Sequence, residues 1–200
     1  MLIGVLALQG AFIEHQRALA ACGAQSRQVR KPGQLDGLDG LIIPGGESTT
    51  MGKLMNDFGL FGPIVSRAKE GLPVFGTCAG LILMAREIAG SEQPRLGLMD
   101  MVAERNAFGR QVESFETDLA VPVLGEELFR AVFIRAPYIL ETGPGVEVLA
   151  RFKEKIVCAR QGRFLAAAFH PELTGDKRLH QLFLTACASR QDRAPAVITA

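Results

Sequence analysis

Leu72-Pro73-Val74-Phe75-Gly76-Thr77-Cys78-Ala79-Gly80-Leu81 is the stretch on which the fold turns. Leu72 to Gly76 suits a short buried strand, and Leu81 to Glu87 suits the helix that follows it. Between them, Gly76-Thr77-Cys78-Ala79-Gly80 has the spacing of a G-x-S-x-G elbow with cysteine in place of serine. The flanking glycines are what a tight turn needs when it brings neighbouring backbone very close. Such a turn strains its central residue, lifts that side chain above the sheet edge and sets it at a helix N-terminus. The helix dipole there favours negative charge on sulfur, and the Ala79 N–H is placed to stabilise an oxyanion. The competing reading is a buried cysteine in a glycine-rich turn; agreement between spacing and strand–helix context favours the elbow.

Outward from the elbow, the first half alternates short apolar runs with helical patterns, the signature of βαβ units around a parallel sheet. Strands are expected at Leu2 to Leu8, Gln25 to Arg30 and Gly40 to Pro44, and helices at Ala11 to Cys22, Thr49 to Asp57 and Phe61 to Lys69. The second half reads as strands at Met99 to Arg105, Gln111 to Val121, Ala131 to Arg135, Val146 to Phe152, Lys155 to Arg160 and Phe164 to Phe169. Without helices between them, these are expected to pair antiparallel. Asp176 to Ser189 closes the pattern as a helix, with Leu179, Leu182, Phe183 and Ala186 on one face. One domain over residues 1–189 is expected, with 190–200 a flexible tail.

Composition narrows the function classes. The 22 Lys and Arg nearly cancel the 21 Asp and Glu, so no broad basic surface points to nucleic acid or an anionic membrane. Met1 to Phe12 is apolar, but Glu14-His15-Gln16-Arg17 follows where an export signal would continue apolar, so a cytoplasmic location is expected. No apolar run approaches the roughly 20 residues that span a bilayer. The four cysteines, Cys22, Cys78, Cys158 and Cys187, form no C-x-x-C pair, so neither a zinc site nor a disulfide framework is expected.

A cysteine nucleophile needs a base, and the chain has three histidines. His15 falls mid-helix beside Glu14 and Arg17 and is expected to be solvated; His180 falls in the last helix, with a solvated or packing role. His170 ends a strand and precedes Pro171-Glu172, where Glu172 can accept the second imidazole N–H and fix the tautomer. Pro44-Gly45-Gly46-Glu47-Ser48-Thr49-Thr50 follows a buried strand and offers unobstructed glycine N–H groups as the second oxyanion donor. Taken alone it divides evenly between an anion-binding loop and a helix start capped by Ser48. No lysine follows in Walker fashion and G-x-G-x-x-G is absent, against a nucleotide site.

With these segments in hand, the chain resembles the class I (triad) glutamine amidotransferases, and within them the glutaminase subunits of two-protein pyridoxal 5'-phosphate synthases. The resemblance is carried by Gly4-Val5-Leu6-Ala7-Leu8-Gln9-Gly10, Pro44 to Thr50, Gly76 to Leu81, Arg105-Asn106-Ala107-Phe108-Gly109-Arg110-Gln111, Ile134-Arg135-Ala136-Pro137 and His170-Pro171-Glu172-Leu173. It implies a three-layer α/β sandwich with a mostly parallel central sheet and antiparallel strands in the second half. It implies Cys78 as nucleophile, His170 as general base and acid, Glu172 as the residue that orients it, and Gly46 and Ala79 as the oxyanion hole. Gly46, Glu47, Ser48, Arg105, Ile134 and Arg135 would line the glutamine pocket. Either arginine suits the α-carboxylate and Glu47 suits the α-ammonium; the residues do not choose between the arginines. No metal or cofactor is expected. The implied partner is a barrel-shaped synthase that combines ammonia with a pentose phosphate and a triose phosphate. Two rivals stand beside this reading: another cysteine hydrolase such as a peptidase, and an interaction subunit that has lost activity.

Overall fold

A computed structural model describes residues 1–105 and 114–191. The elements in chain order are β1 (Leu2–Leu6), α1 (Phe12–Ala21), β2 (Gln25–Val29), β3 (Gly40–Ile43), α2 (Ser48–Asp57), α3 (Phe61–Lys69), β4 (Val74–Thr77), α4 (Ala79–Met84), β5 (Ala85–Ile88), β6 (Met99–Glu104), β7 (Ser114–Leu119), β8 (Phe129–Ile134), β9 (Tyr138–Thr142), β10 (Glu147–Phe152), β11 (Lys155–Gln161), β12 (Phe164–Ala167) and α5 (Arg178–Gln191). The main sheet runs β2-β1-β3-β4-β12-β11-β9-β6-β5, with β10 added to β11. The pairs from β2 across to β12 are parallel, as is β5 with β6, while β12–β11, β11–β9, β9–β6 and β11–β10 are antiparallel. β7 and β8 form a separate antiparallel ribbon.

The layers follow from strand alternation, since neighbouring side chains point to opposite faces. On β4, Phe75 packs edge-on against His15 of α1 and His180 of α5, and at a tilt against Phe183 of α5. The adjacent Gly76 faces α4, where an added Cβ would sit 2.6 Å from Met84 Sδ and from the Gly80 carbonyl carbon. Helices therefore cover both faces of the sheet. β3 is buried at every position, as a central parallel strand should be.

Three expectations need correction. The helix expected over Leu81 to Glu87 starts at the elbow and ends at Met84; Ala85–Ile88 is a strand paired with β6. The run Leu-Ile-Leu-Met-Ala-Arg-Glu-Ile has good helix propensity, and an available sheet edge overrides it. Tyr138–Thr142, unassigned from sequence, is β9 and bridges β6 to β11. Finally, the second-half strands do not all pair antiparallel: β12 lies beside β4 and runs parallel to it, Phe164 opposite Val74 and Ala167 opposite Thr77. That pairing positions the site, because residues leaving the carboxyl ends of β4 and β12 emerge side by side.

Candidate active site

Cys78 leaves β4 with φ 49° and ψ −104°, a conformation an L-residue adopts only under constraint. Its N–H donates to the Ala167 carbonyl at 2.8 Å, tying the elbow to β12. The glycines that frame it are required by contact: a Cβ on Gly80 would lie 2.0 Å from the Ile43 carbonyl oxygen. The Cys78 side chain is almost enclosed, and its Sγ lies 3.8 Å from the Ile134 carbonyl. All four cysteines are free thiols.

His170 follows β12, and its N–H donates to Val132 of β8 at 2.8 Å. Its ring lies beside Cys78 on one side and places Nδ1 2.7 Å from Glu172 Oε1 on the other. Glu172 sits two residues on, in a single 3-10 turn opened by Pro171. Both side chains are buried. Burial pushes His170 toward the neutral form, but the bonds to Cys78 and Glu172 outweigh it and hold its pKa up to about 10. Glu172 is lowered: burial opposes its charge, and His15 and His170 together overcome that. The arrangement is an imidazolium between a sulfur and a carboxylate.

The Pro44–Thr50 loop packs directly on this pair. A Cβ on Gly45 would meet His170 Cε1 at 2.2 Å. The Gly45 carbonyl accepts from Ala11 N–H at 3.1 Å, and Gln9 Oε1 accepts from Glu47 N–H at 2.7 Å, so the β1–α1 loop braces it. The cap of α2 is Glu47, not Ser48: its carboxylate accepts from the Thr49 and Thr50 N–H groups at 3.1 and 2.7 Å. Partial burial works against that charge, yet the Thr50 and Thr49 bonds hold Glu47 down to about 2. Ser48 is buried and points instead to Gln93.

Arg105 closes the side of the loop, with Nη1 2.9 Å from Gln93 Oε1 and Nη2 3.5 Å from Glu47 Oε1. Asn106 to Gln111, the rest of that motif, lies outside the described residues. Ile134, whose carbonyl lies beside the Cys78 sulfur, and Arg135 are exposed, and Arg135 has φ 43°. Such an outlier next to a reactive group is how strain clusters at functional sites.

Two residues escaped the sequence reading. Gln93 is buried and its Oε1 accepts from Arg105, Ser48 and Thr49. Arginine can only donate, which fixes the amide orientation. Nothing local marks Gln93, since its partners are distant in sequence. His15, expected to be solvated, is fully buried beneath Glu172. The Glu14 and Arg17 beside it mark the opposite face of α1, and the helical period alone does not say which face is covered. His180 is buried too and packs against His15. Among the described residues, no group of three or more His, Cys, Asp or Glu side chains is placed to hold a metal ion.

A parallel sheet that sets a cysteine elbow and a strand-end histidine–glutamate pair on one carboxyl edge defines an α/β protein of the cysteine amidase type. The chain belongs to the SNO glutamine amidotransferase family, whose profile matches residues 5–189. It is 74% identical over 187 residues to the pyridoxal 5'-phosphate synthase subunit PdxT of Pelotomaculum thermopropionicum, covering 94% of this chain and 95% of that one. It is 70% identical to the subunit of the same name from Desulforamulus reducens, covering 92% and 98%. A crystal structure described as a glutamine amidotransferase superimposes with a TM-score of 0.88 at 55% identity, over 93% of this chain and 98% of that one.

Proposed function

We propose that this chain is the glutaminase subunit of a pyridoxal 5'-phosphate synthase, hydrolysing L-glutamine to L-glutamate and ammonia and passing the ammonia to a synthase partner. The observation that carries this reading is His170, set beside Cys78 and bonded to Glu172, at the mouth of a loop that presents Gly46, Glu47 and Ser48 beside Arg105. The names of the relatives support it. The reading places the chain in the cytoplasm, with no nucleic acid or membrane partner; no helix among the described residues is long and apolar enough to cross a bilayer.

In the mechanism, Cys78 thiolate attacks the side-chain amide carbon of glutamine. The oxyanion lies against the N–H groups of Gly46 and Ala79, the latter at the start of α4 where N–H groups have no partner in the helix. His170 gives its proton to the departing ammonia, then takes one from the water that hydrolyses the γ-glutamyl thioester. Glu172 steadies the imidazolium. Arg105 or Arg135 holds the α-carboxylate, and Glu47, ionised throughout the working range, faces the α-ammonium. A peptidase rival leaves the conjunction of Glu47 and Arg105 unexplained.

A pH dependence follows. His170 must be protonated to serve the leaving group, and its pKa lies near 10 rather than the ordinary 6.5. Hydrolysis is expected to fall as pH rises through about 10; an alkaline limb near 6.5 would contradict the paired state. The same shift gives a stabilisation that is complete below pH 6.5 and lost as pH climbs toward 10.

The partner is a barrel-shaped synthase that takes up the ammonia through a protected path and activates the glutaminase on docking. The Gly45–Gly46 peptide is the natural switch. Its carbonyl is held by Ala11 N–H, and glycine at position 46 accepts the positive φ that a flip creates. Measuring ammonia release with and without the partner tests this: a rise on mixing is expected, and equal rates would remove the activation step.

A further inference from the structure

Beneath the His170–Glu172 pair lies a second set of polar side chains that the mechanism above does not use. His15 of α1, Thr77 at the end of β4 and His180 of α5 are all fully buried, packed around Phe75. Polar groups in such a setting cost free energy unless they serve one another. His15 Nε2 lies 3.1 Å from Thr77 Oγ1 and 3.4 Å from Glu172 Oε2, and His15 Nδ1 lies 3.1 Å from His180 Nε2. Glu172 Oε1 is taken by His170, whereas Oε2 is buried and makes no hydrogen bond among the described residues. His15 is the polar group that Oε2 faces.

One proton arrangement suits all of these contacts. An ionised carboxylate only accepts, so a bare imidazole lone pair 3.4 Å from Oε2 would repel it, and His15 Nε2 must carry the hydrogen. Burial holds His15 below its ordinary value, hence neutral, with Nδ1 bare. His180, pushed by burial down to about 3, must then donate from Nε2 to that lone pair. Its own Nδ1 is left bare, and Nδ1 is the His180 atom that lacks a partner. An unfilled acceptor is less costly than an orphaned N–H. In this arrangement His15 Nε2–H lies between Thr77 Oγ1 and Glu172 Oε2, and the chain of groups runs His180, His15, Glu172, His170, Cys78.

We propose that His15 is a positioning residue of the glutaminase: its Nε2–H, directed by His180, faces Glu172 Oε2 and holds that carboxylate where it orients His170. The proposal rests on the Cys78–His170–Glu172 mechanism. The charged and titratable groups around the pair are Glu14 on α1, Lys177 ahead of α5, His180 and His170. The N–H dipole that neutral His15 turns toward Oε2 favours the ionised form of Glu172. Without it, Glu172 takes up a proton at higher pH and the acid limb of activity moves up.

The experiment measures kcat, KM and pH profiles for the full chain in complex with its synthase partner, for His15→Phe, His15→Gln and Glu172→Gln, with melting temperatures alongside. His15→Phe is expected to lower kcat on the order of 10- to 100-fold, leave KM nearly unchanged and move the acid limb upward. His15→Gln, whose amide N–H reaches the Nε2 position, is expected to recover most of both. Unchanged kcat and acid limb in His15→Phe, with Glu172→Gln crippled, would overturn the role of His15 and leave the triad standing. Full activity in Glu172→Gln would instead bring down the triad reading, and the proposal with it. Equal losses in His15→Phe and His15→Gln, with an unmoved acid limb and a lowered melting temperature, would reduce His15 to packing. If His15→Phe does not fold, His15→Asn replaces it, because its N–H occupies the Nδ1 position. The glutamine variant should then outperform the asparagine one, and identical profiles would overturn the proposal.

Discussion

Cys78→Ala is expected to reduce ammonia release from glutamine to background, a loss on the order of 10⁴-fold or more, without loss of the fold. The sulfur is the proposed nucleophile, and no other described thiol can replace it: Cys158 and Cys187 are buried in the core, burial pushes the Cys158 thiol up to about 12, and Cys22 caps the far end of α1 with its thiol also raised by burial. Alanine keeps the Cβ, so the constraint at φ 49° and ψ −104° is unchanged and the melting temperature should hold nearly constant. Cys78→Gly separates chemistry from strain. It too should be inactive, but glycine adopts this backbone without penalty, so the fold should gain about 1 kcal/mol. Thermal melts and a glutaminase assay on the three proteins check both parts. Residual activity in Cys78→Ala would end the nucleophile assignment, and a destabilised Cys78→Gly would end the claim of stored strain.

Gly45→Ala is expected to cost activity on the order of 10²-fold without touching a reacting atom. An added Cβ would lie 2.2 Å from His170 Cε1, 2.9 Å from Nδ1 and 3.2 Å from Nε2. The ring cannot simply retreat, because Nδ1 is bonded to Glu172 and the His170 N–H to Val132. Either the imidazole leaves its line to Cys78 or the loop carrying Gly46 moves away from the oxyanion. Each displaces a proposed catalytic group by roughly 1 Å, and the crowding should also lower stability by about 1–3 kcal/mol. Gly62→Ala is the matched control: nothing lies within 4 Å of its Cβ, so activity should be unchanged. Full activity in Gly45→Ala would mean that His170 does not work from this position.

Several parts of this site were open to sequence reasoning because their cause is local. Gly76, Gly80 and the strand before Cys78 belong to one continuous segment, and the close contacts of both glycines with neighbouring backbone are what that spacing implies. The proximity of His170 to Glu172 is also local, since Pro171 opens a short turn between them. The order of the helices and the strands of the first half followed from period and punctuation. Tyr138–Thr142 and Ala85–Ile88 did not, because a strand at a sheet margin needs a partner more than a propensity.

By itself the sequence determined the elbow, the strand-end histidine with its carboxylate two residues on, and the glycine loop, since each depends on residues within one turn of chain. Tertiary structure alone decided that β12 inserts beside β4 in parallel, which sets Cys78 and His170 on one edge although they lie far apart in the chain. It alone buried His15 under Glu172 and gathered Ser48 and Arg105 around Gln93, with Arg105 also reaching Glu47. The reason is physical: a turn or cap is specified by neighbours in sequence, whereas burial of a polar group depends on which distant surface arrives to cover it. The Glu14–Arg17 segment is compatible with solvent or with a packed polar layer, and the packing of α5 against α1 made the choice.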